Sequence, residues 1–141
     1  MIVTPTGESL LVDSGYAEQG RDSSRILAAM RDAGVSRIDY YLQTHFHSDH
    51  IGGLGELLLQ RWANTSHADQ MPVYGAQGVE LVVQGFNLAY SLDKGYRIAH
   101  HGPQTVPPSG QGGLAHPFTL APDSDASQVV LQQDGLTVTA F

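Results

Sequence analysis

The chain has 141 residues, 41% of them hydrophobic, enough for one globular domain with a buried core and too few to require a second. Fourteen Asp and Glu outweigh seven Lys and Arg, for a formal net charge of −7, which excludes a broad basic surface for sequence-independent binding of nucleic acid. With no cysteine, disulfides, a thiolate nucleophile and Cys-ligated zinc are excluded, so any metal must be held by His, Asp or Glu.

The opening stretch MIVTPTGESLLVDSG has neither a basic n-region nor an apolar run long enough for a signal peptide. No segment approaches the roughly 20 apolar residues of a membrane span. The expectation is a protein without a membrane partner, cytoplasmic by default. Ile2 to Thr4 and Ser9 to Val12 are short β-prone runs around Pro-Thr-Gly-Glu, which reads as a hairpin ending at Asp13-Ser14-Gly15. Asp22 to Ala33 predicts a helix, capped by Asp22 or Ser23, with Ile26, Ala29, Met30 and Ala33 at helical spacing and Gly34 as its stop. Ile38 to Thr44 (IDYYLQT) is rich in strand-favouring residues. Strand, helix and strand in this order predict a sheet with covering helices.

Beyond that strand, Ile51, Leu54, Leu57, Leu58 and Trp62 form one apolar stripe and predict a helix. Met71 to Tyr74 reads as a short strand. Val79, Val82, Val83, Phe86, Ala89 and Tyr90 again repeat at helical spacing, with Gly85 inside at a cost of about 1 kcal/mol relative to Ala. Gly102 to Ser127 lacks periodicity and is rich in Pro and Gly; a connection that long is either functional or hides an element. Val129 to Leu131 and Leu136 to Phe141 flank Asp134-Gly135, a hairpin signal.

Between the second strand and its following helix lies THFHSDHIGG, residues 44 to 53. On an extended backbone His45 and His47 point to the same side and can chelate one cation, while Phe46 points away, toward the core. Asp49 and His50 follow after the chain begins to turn, which aims them at a neighbouring second metal. Gly52 and Gly53 keep side-chain bulk away and permit close backbone approach. Nitrogen-rich ligation with one carboxylate suits Zn²⁺ best, with Fe or Mn possible. Helix capping by Asp49 or Ser48 accounts for one residue of the group and leaves the rest unexplained.

THFHSDHIGG resembles the His-x-His-x-Asp-His signature of the metallo-β-lactamase superfamily, and LLVDSG resembles the Asp-containing strand end that precedes it there. MPVYGAQGVELVVQGFNLAY and GYRIAHHG resemble the ribonuclease Z and arylsulfatase-like branch. The resemblance implies an α/β (α+β) fold, the first half of an αββα sandwich, with a mixed sheet and covering helices in a single incomplete domain over residues 1–141. It further implies a metallo-hydrolase with two zinc ions, His45 and His47 on one and Asp49 and His50 on the other. Asp49 would also donate or accept a proton in catalysis. Asp13 would hydrogen-bond and orient a ligand, its alternative being a plain turn former. The implied reaction is attack by metal-bound hydroxide on a phosphodiester, ester or sulfate ester. The acidic balance ranks a small anionic or ester substrate above RNA.

The family supplies further His and Asp ligands C-terminal to this region, and DGLTVTAF looks like the strand that delivers the next His. The expectation is therefore a fragment with little catalysis of its own. A metal-binding or interaction module without turnover is the competing class. Of the other histidines, His100 and His101 suit the exposed carbonyls of a helix end. His67 and His116 fall in predicted loops and read as solvated, His116 being the better outside candidate for the site.

Overall fold

The computed structural model describes residues 1–16, 18–120, 126–133 and 135–141. Among these residues seven strands, β1 (Ile2–Val3), β2 (Ser9–Val12), β3 (Tyr40–Gln43), β4 (Met71–Ala76), β5 (Gly113–Phe118), β6 (Gln128–Gln133) and β7 (Leu136–Ala140), form two sheets. The larger is β1-β2-β3-β4-β5; β1 runs antiparallel to β2 and the other pairings are parallel. Parallel neighbours need long crossovers. These are α1 (Arg21–Asp32), the pair α2 (Ser48–Ile51) and α3 (Leu54–Thr65), and the pair α4 (Val79–Ala89) and α5 (Ser91–His101).

Because side chains alternate across a strand, the register sorts them into two faces. Leu11, Tyr41 and Val73 lie in one row and meet Leu54, Leu58, Val79 and Val83 from α3 and α4, with Ile26 and Met30 of α1 at the margin. Each such residue taken from water contributes about 1.5–3 kcal/mol before conformational entropy is set against it. On the opposite face Leu10 and Tyr40 pack against Leu131 and Leu136 of the β6–β7 hairpin. The layers are therefore helices, a five-stranded mixed sheet and a two-stranded sheet, which is the expected partial sandwich. Among the described residues no helix is long and apolar enough to cross a membrane.

The first hairpin, α1, β3 and α4 sit where the sequence places them. Three details differ. The cap of α1 is Gly20, in left-handed conformation with no side-chain cap. Asp22 lies inside the first turn and accepts a hydrogen bond from the Tyr16 N–H at 3.1 Å, while the Ser23 hydroxyl donates to the Gly20 carbonyl. Second, the helix after the motif begins earlier, at Ser48, breaks at Gly52-Gly53 and resumes as α3.

Third, β5 lies within the stretch read as irregular. Its six pairings to β4 are long-range, and Asn87 clamps its first residue through both amide atoms, at 3.0 and 2.9 Å. Neither signal is local, and Pro117 hides the strand further; as the edge of the sheet β5 tolerates a proline. His116 is accordingly no loop residue: it stacks on Tyr74 with ring centroids 4.7 Å apart. Of the same stretch residues 121–125 lie outside the described residues, as does Asp134 of the second hairpin signal.

Candidate metal centre

The motif starts where β3 ends. Gln43, the last residue of that strand, is fully buried, and an amide there must satisfy its polar atoms. Its Oε1 accepts from the Tyr41 hydroxyl at 2.6 Å, and its Nε2 donates to the His45 carbonyl at 2.6 Å and to Asp13 Oδ1 at 2.8 Å. Tyr41 is itself fully buried, and burial pushes its hydroxyl above the ordinary tyrosine range, so it stays a neutral donor.

Asp13 sits immediately after β2 with a positive φ of 53°, a region that Asp enters more readily than most residues. Its own N–H donates to the Leu42 carbonyl, and that of Ser14 to the His50 carbonyl, both at 3.0 Å. The backbone so fixed aims the carboxylate at the histidine loop. Oδ1 accepts from Gln43 and from the Thr44 N–H at 2.9 Å; Oδ2 accepts from the Thr44 hydroxyl at 2.6 Å and lies 2.7 Å from His50 Nδ1. Four donors on one carboxylate are more than a turn former needs.

In the neutral imidazoles these contacts select one tautomer for each ring. A carboxylate offers no hydrogen, so His50 Nδ1 donates to Asp13, and in the neutral ring the lone pair falls on Nε2. The one hydrogen of the Thr44 hydroxyl is spent on Asp13. The hydroxyl oxygen then accepts from His45 Nδ1, 3.1 Å away, and again Nε2 is left as the bare nitrogen. In that tautomer each ring keeps Nε2 as the nitrogen able to bind a cation.

His45 lies at the centre of the group: its ring centroid is 3.8 Å from that of His50 and 4.8 Å from that of His47. Asp49 Oδ2 is 3.6 Å from His50 Nε2. His47 and Asp49 are exposed, whereas His45 and His50 are half-buried. All four predicted residues are therefore gathered at one end of β3, in the contact order 47, 45, 50, 49. Among the described residues no three His, Asp or Glu side chains stand around one point as a cation would require; the imidazoles rest on each other in pairs. In chemistry the set fits a borderline ion such as Zn²⁺: three imidazoles, one carboxylate and no thiolate. Phe46 points the other way and packs against the core.

Gly53 explains how the loop comes so close to β2. A Cβ there would lie 2.6 Å from the Ser14 carbonyl oxygen, well inside contact distance, so only glycine lets the two segments cross. Beside the site a cavity of about 400 Å³ is lined by Asp13, Asp49, His50 and Arg25. Sequence reasoning missed Thr44, Gln43 and Ser14. The available signal was the polar pair Gln43-Thr44 closing an otherwise apolar strand.

The remaining histidines lie elsewhere. His100 and His101 form the last turn of α5, rings edge to face at 4.5 Å, and the hydrogen bond that closes the helix comes from the Gly102 N–H to the Ile98 carbonyl at 2.9 Å. His67 is half-buried, and burial together with nearby Arg61 and Arg37 pushes its pKa below the ordinary histidine value.

Comparison with known proteins places the chain in one family. The model of the metallo-beta-lactamase superfamily matches residues 1–134. Ribonuclease Z from Mycobacterium bovis (strain BCG / Pasteur 1173P2) is 34% identical over 139 residues, 97% of this chain and 44% of the relative. Ribonuclease Z from Mycolicibacterium gilvum (strain PYR-GCK) is 39% identical over 109 residues, 76% of this chain and 36% of the relative. That of Mycobacterium sp. (strain KMS) is 41% identical over the same length, with the same coverage. The chain thus spans well under half the length of these relatives. No solved structure matches it.

Proposed function

Since the chain belongs to the metallo-beta-lactamase superfamily, we propose that it carries the zinc-holding part of a phosphodiesterase that cleaves RNA, with His45, His47, Asp49 and His50 as ligands. One observation carries this reading: Asp13 and Thr44 hold His50 and His45 through Nδ1, which in the neutral rings leaves Nε2 as the lone-pair nitrogen. Zinc bound there would lower the pKa of water toward 7 and polarise the phosphoryl group. The chain's own residues do the rest. His45 and His50 are oriented before any ion arrives, while His47 and Asp49, both exposed, have the freedom to rotate in and complete the shell. Asp49 lines the cavity that would admit substrate and would there exchange a proton with the attacking water or the leaving group.

RNA ranks ahead of a small ester because the similar relatives are named ribonuclease Z. The formal net charge of −7 favours the second reading, a small ester or sulfate ester, since an acidic surface repels a polyanion. Calorimetric titration of the 141-residue chain with zinc tests the ligand set. The expected result is saturable binding that His47→Ala weakens at least about tenfold; absence of binding, or binding indifferent to His47→Ala, overturns it. In a protein of the relatives' length carrying this segment, chelation should abolish cleavage of a model phosphodiester. Cleavage of an RNA oligomer against that of an aryl ester then separates the two substrate classes.

A further inference from the structure

A groove of about 310 Å³ runs between α1 and α3, apart from the histidine cluster. It exists because α1 has no fully buried residue and reaches the core only through the half-buried Ile26 and Met30. Leu57 of α3 faces them, and Leu11 of the sheet closes the bottom. The slot is mainly apolar, with Ser14, Ser23 and Gln60 also on its walls, and its charge is confined to one group. Glu56 lies at the rim, exposed, and among the described residues its carboxylate has no hydrogen bond or ion pair. No Lys, Arg or His lines the groove. An uncommitted carboxylate over an apolar slot, in a chain of formal net charge −7, selects a ligand with an apolar body and one positive charge and rejects an anion.

We propose that the α1–α3 groove binds a small amphipathic cation of the primary alkylammonium class, its ammonium on Glu56 and its alkyl chain against Ile26, Leu57 and Leu11. The groove also touches the histidine loop. Ser14 and Gly53 line its end. The Ser14 N–H and hydroxyl both donate to the His50 carbonyl, at 3.0 and 2.9 Å, and the Gly53 N–H donates to the Gly15 carbonyl at 3.2 Å. A ligand seated there presses on the segment that carries His50. Whatever factor it imposes on zinc affinity, zinc must impose on its affinity in return.

The test is a titration of the 141-residue chain with hexylammonium, followed through backbone amide ¹H–¹⁵N spectra. Saturable shifts are expected in α1, α3 and Ser14 to Tyr16. Glu56→Gln should weaken binding about tenfold or more, and 1-hexanol, the same apolar body without charge, should bind the unaltered chain weaker by a similar factor. Glu56→Gln is a surface exchange whose fold the same spectra verify, and its zinc titration should match that of the unaltered chain. Shifts that fail to saturate, that map to another surface, or that are equal for hexanol and hexylammonium overturn the proposal. So does a Glu56→Gln variant that binds as the parent does. These outcomes stand whether or not zinc binds.

Discussion

Replacing Asp13 by Asn separates orientation of the histidines from mere folding. Asn has the same shape and enters the left-handed region that Asp13 occupies at φ 53°, so the backbone should hold. One carbonyl oxygen can still accept from Gln43 Nε2 and the Thr44 N–H, at distances now 2.8 and 2.9 Å. The amide NH₂ then replaces Oδ2, where the Thr44 hydroxyl and His50 Nδ1 now meet the carboxylate at 2.6 and 2.7 Å. Both partners were donors to Asp13, and the amide nitrogen accepts from neither. His50 must move its proton to Nε2 and accept at Nδ1. The Thr44 hydroxyl, now an acceptor, turns its hydrogen toward His45 and drives that ring the same way. Both ligating nitrogens become N–H groups.

Returning a ring to the ligating form means giving up its hydrogen bond from the neutral amide and setting an imidazole N–H against an amide N–H, about 1–3 kcal/mol, or roughly a 5- to 150-fold loss of zinc affinity for His50 alone. Loss of fold stability should be smaller, about 1–2 kcal/mol, since two of the four bonds survive. Zinc calorimetry gives the first quantity, denaturant unfolding the second, and long-range ¹H–¹⁵N imidazole spectra show the tautomers. If Asp13→Asn binds zinc as the unaltered chain does, or His50 keeps its proton on Nδ1, the reasoning is wrong.

Gly53→Ala puts a methyl group 2.6 Å from the Ser14 carbonyl oxygen; it should cost about 2 kcal/mol or more of stability and weaken zinc binding, read by thermal unfolding and calorimetry. Gly110→Ala is a control remote from the site: its Cβ would overlap the His67 carbonyl oxygen at 1.7 Å, so the melting temperature should fall as steeply while Nδ1–H signals of His45 and His50 persist in the folded fraction. Trp62 is fully buried and its Nε1–H donates to the Pro107 carbonyl at 2.7 Å, so Trp62→Phe should lose about 1–3 kcal/mol in denaturant unfolding, with no change in zinc stoichiometry. His67 has a folded-state pKa below its unfolded value of 6.5, so the unfolded chain takes up its proton first. Its contribution is intact above about pH 6.5 and is lost as the pH falls toward the folded value. Unfolding free energies at pH 7.5 and 5.5 should therefore converge in His67→Gln relative to the parent, and an unaltered pH dependence would refute the assignment.

How much of this was legible in the sequence follows from the range over which each signal acts. Helices α1 and α4 carry their pattern within one or two turns, at Ile26-Met30 and Val79-Val83, and the motif histidines crowd into six positions, so their gathering at the end of β3 could be read directly. β5 could not, because its pairing with β4 and its clamp by Asn87 join residues far apart, and Pro117 erases the local alternation. At the site, Asp13 stood out as a residue at a strand end. Its partners Gln43 and Thr44 did not, for their role depends on which atom faces which, a matter of tenths of an ångström. The stacking of His116 on Tyr74 is likewise a fact of strand register, invisible until β5 is known to exist.

The carboxylate that sets the protons of the ligand loop and the imidazole it touches are 37 residues apart, with the whole of α1 between them. THFHSDHIGG is therefore not a portable peptide: grafted elsewhere or synthesised alone, it would keep its ligands and lose their preparation. On the proposed function, ion capture would report on docking of β2 beside β3, so zinc should stabilise that pairing as a clamp stabilises a joint, and local opening there should release the ion before the rest of the domain unfolds.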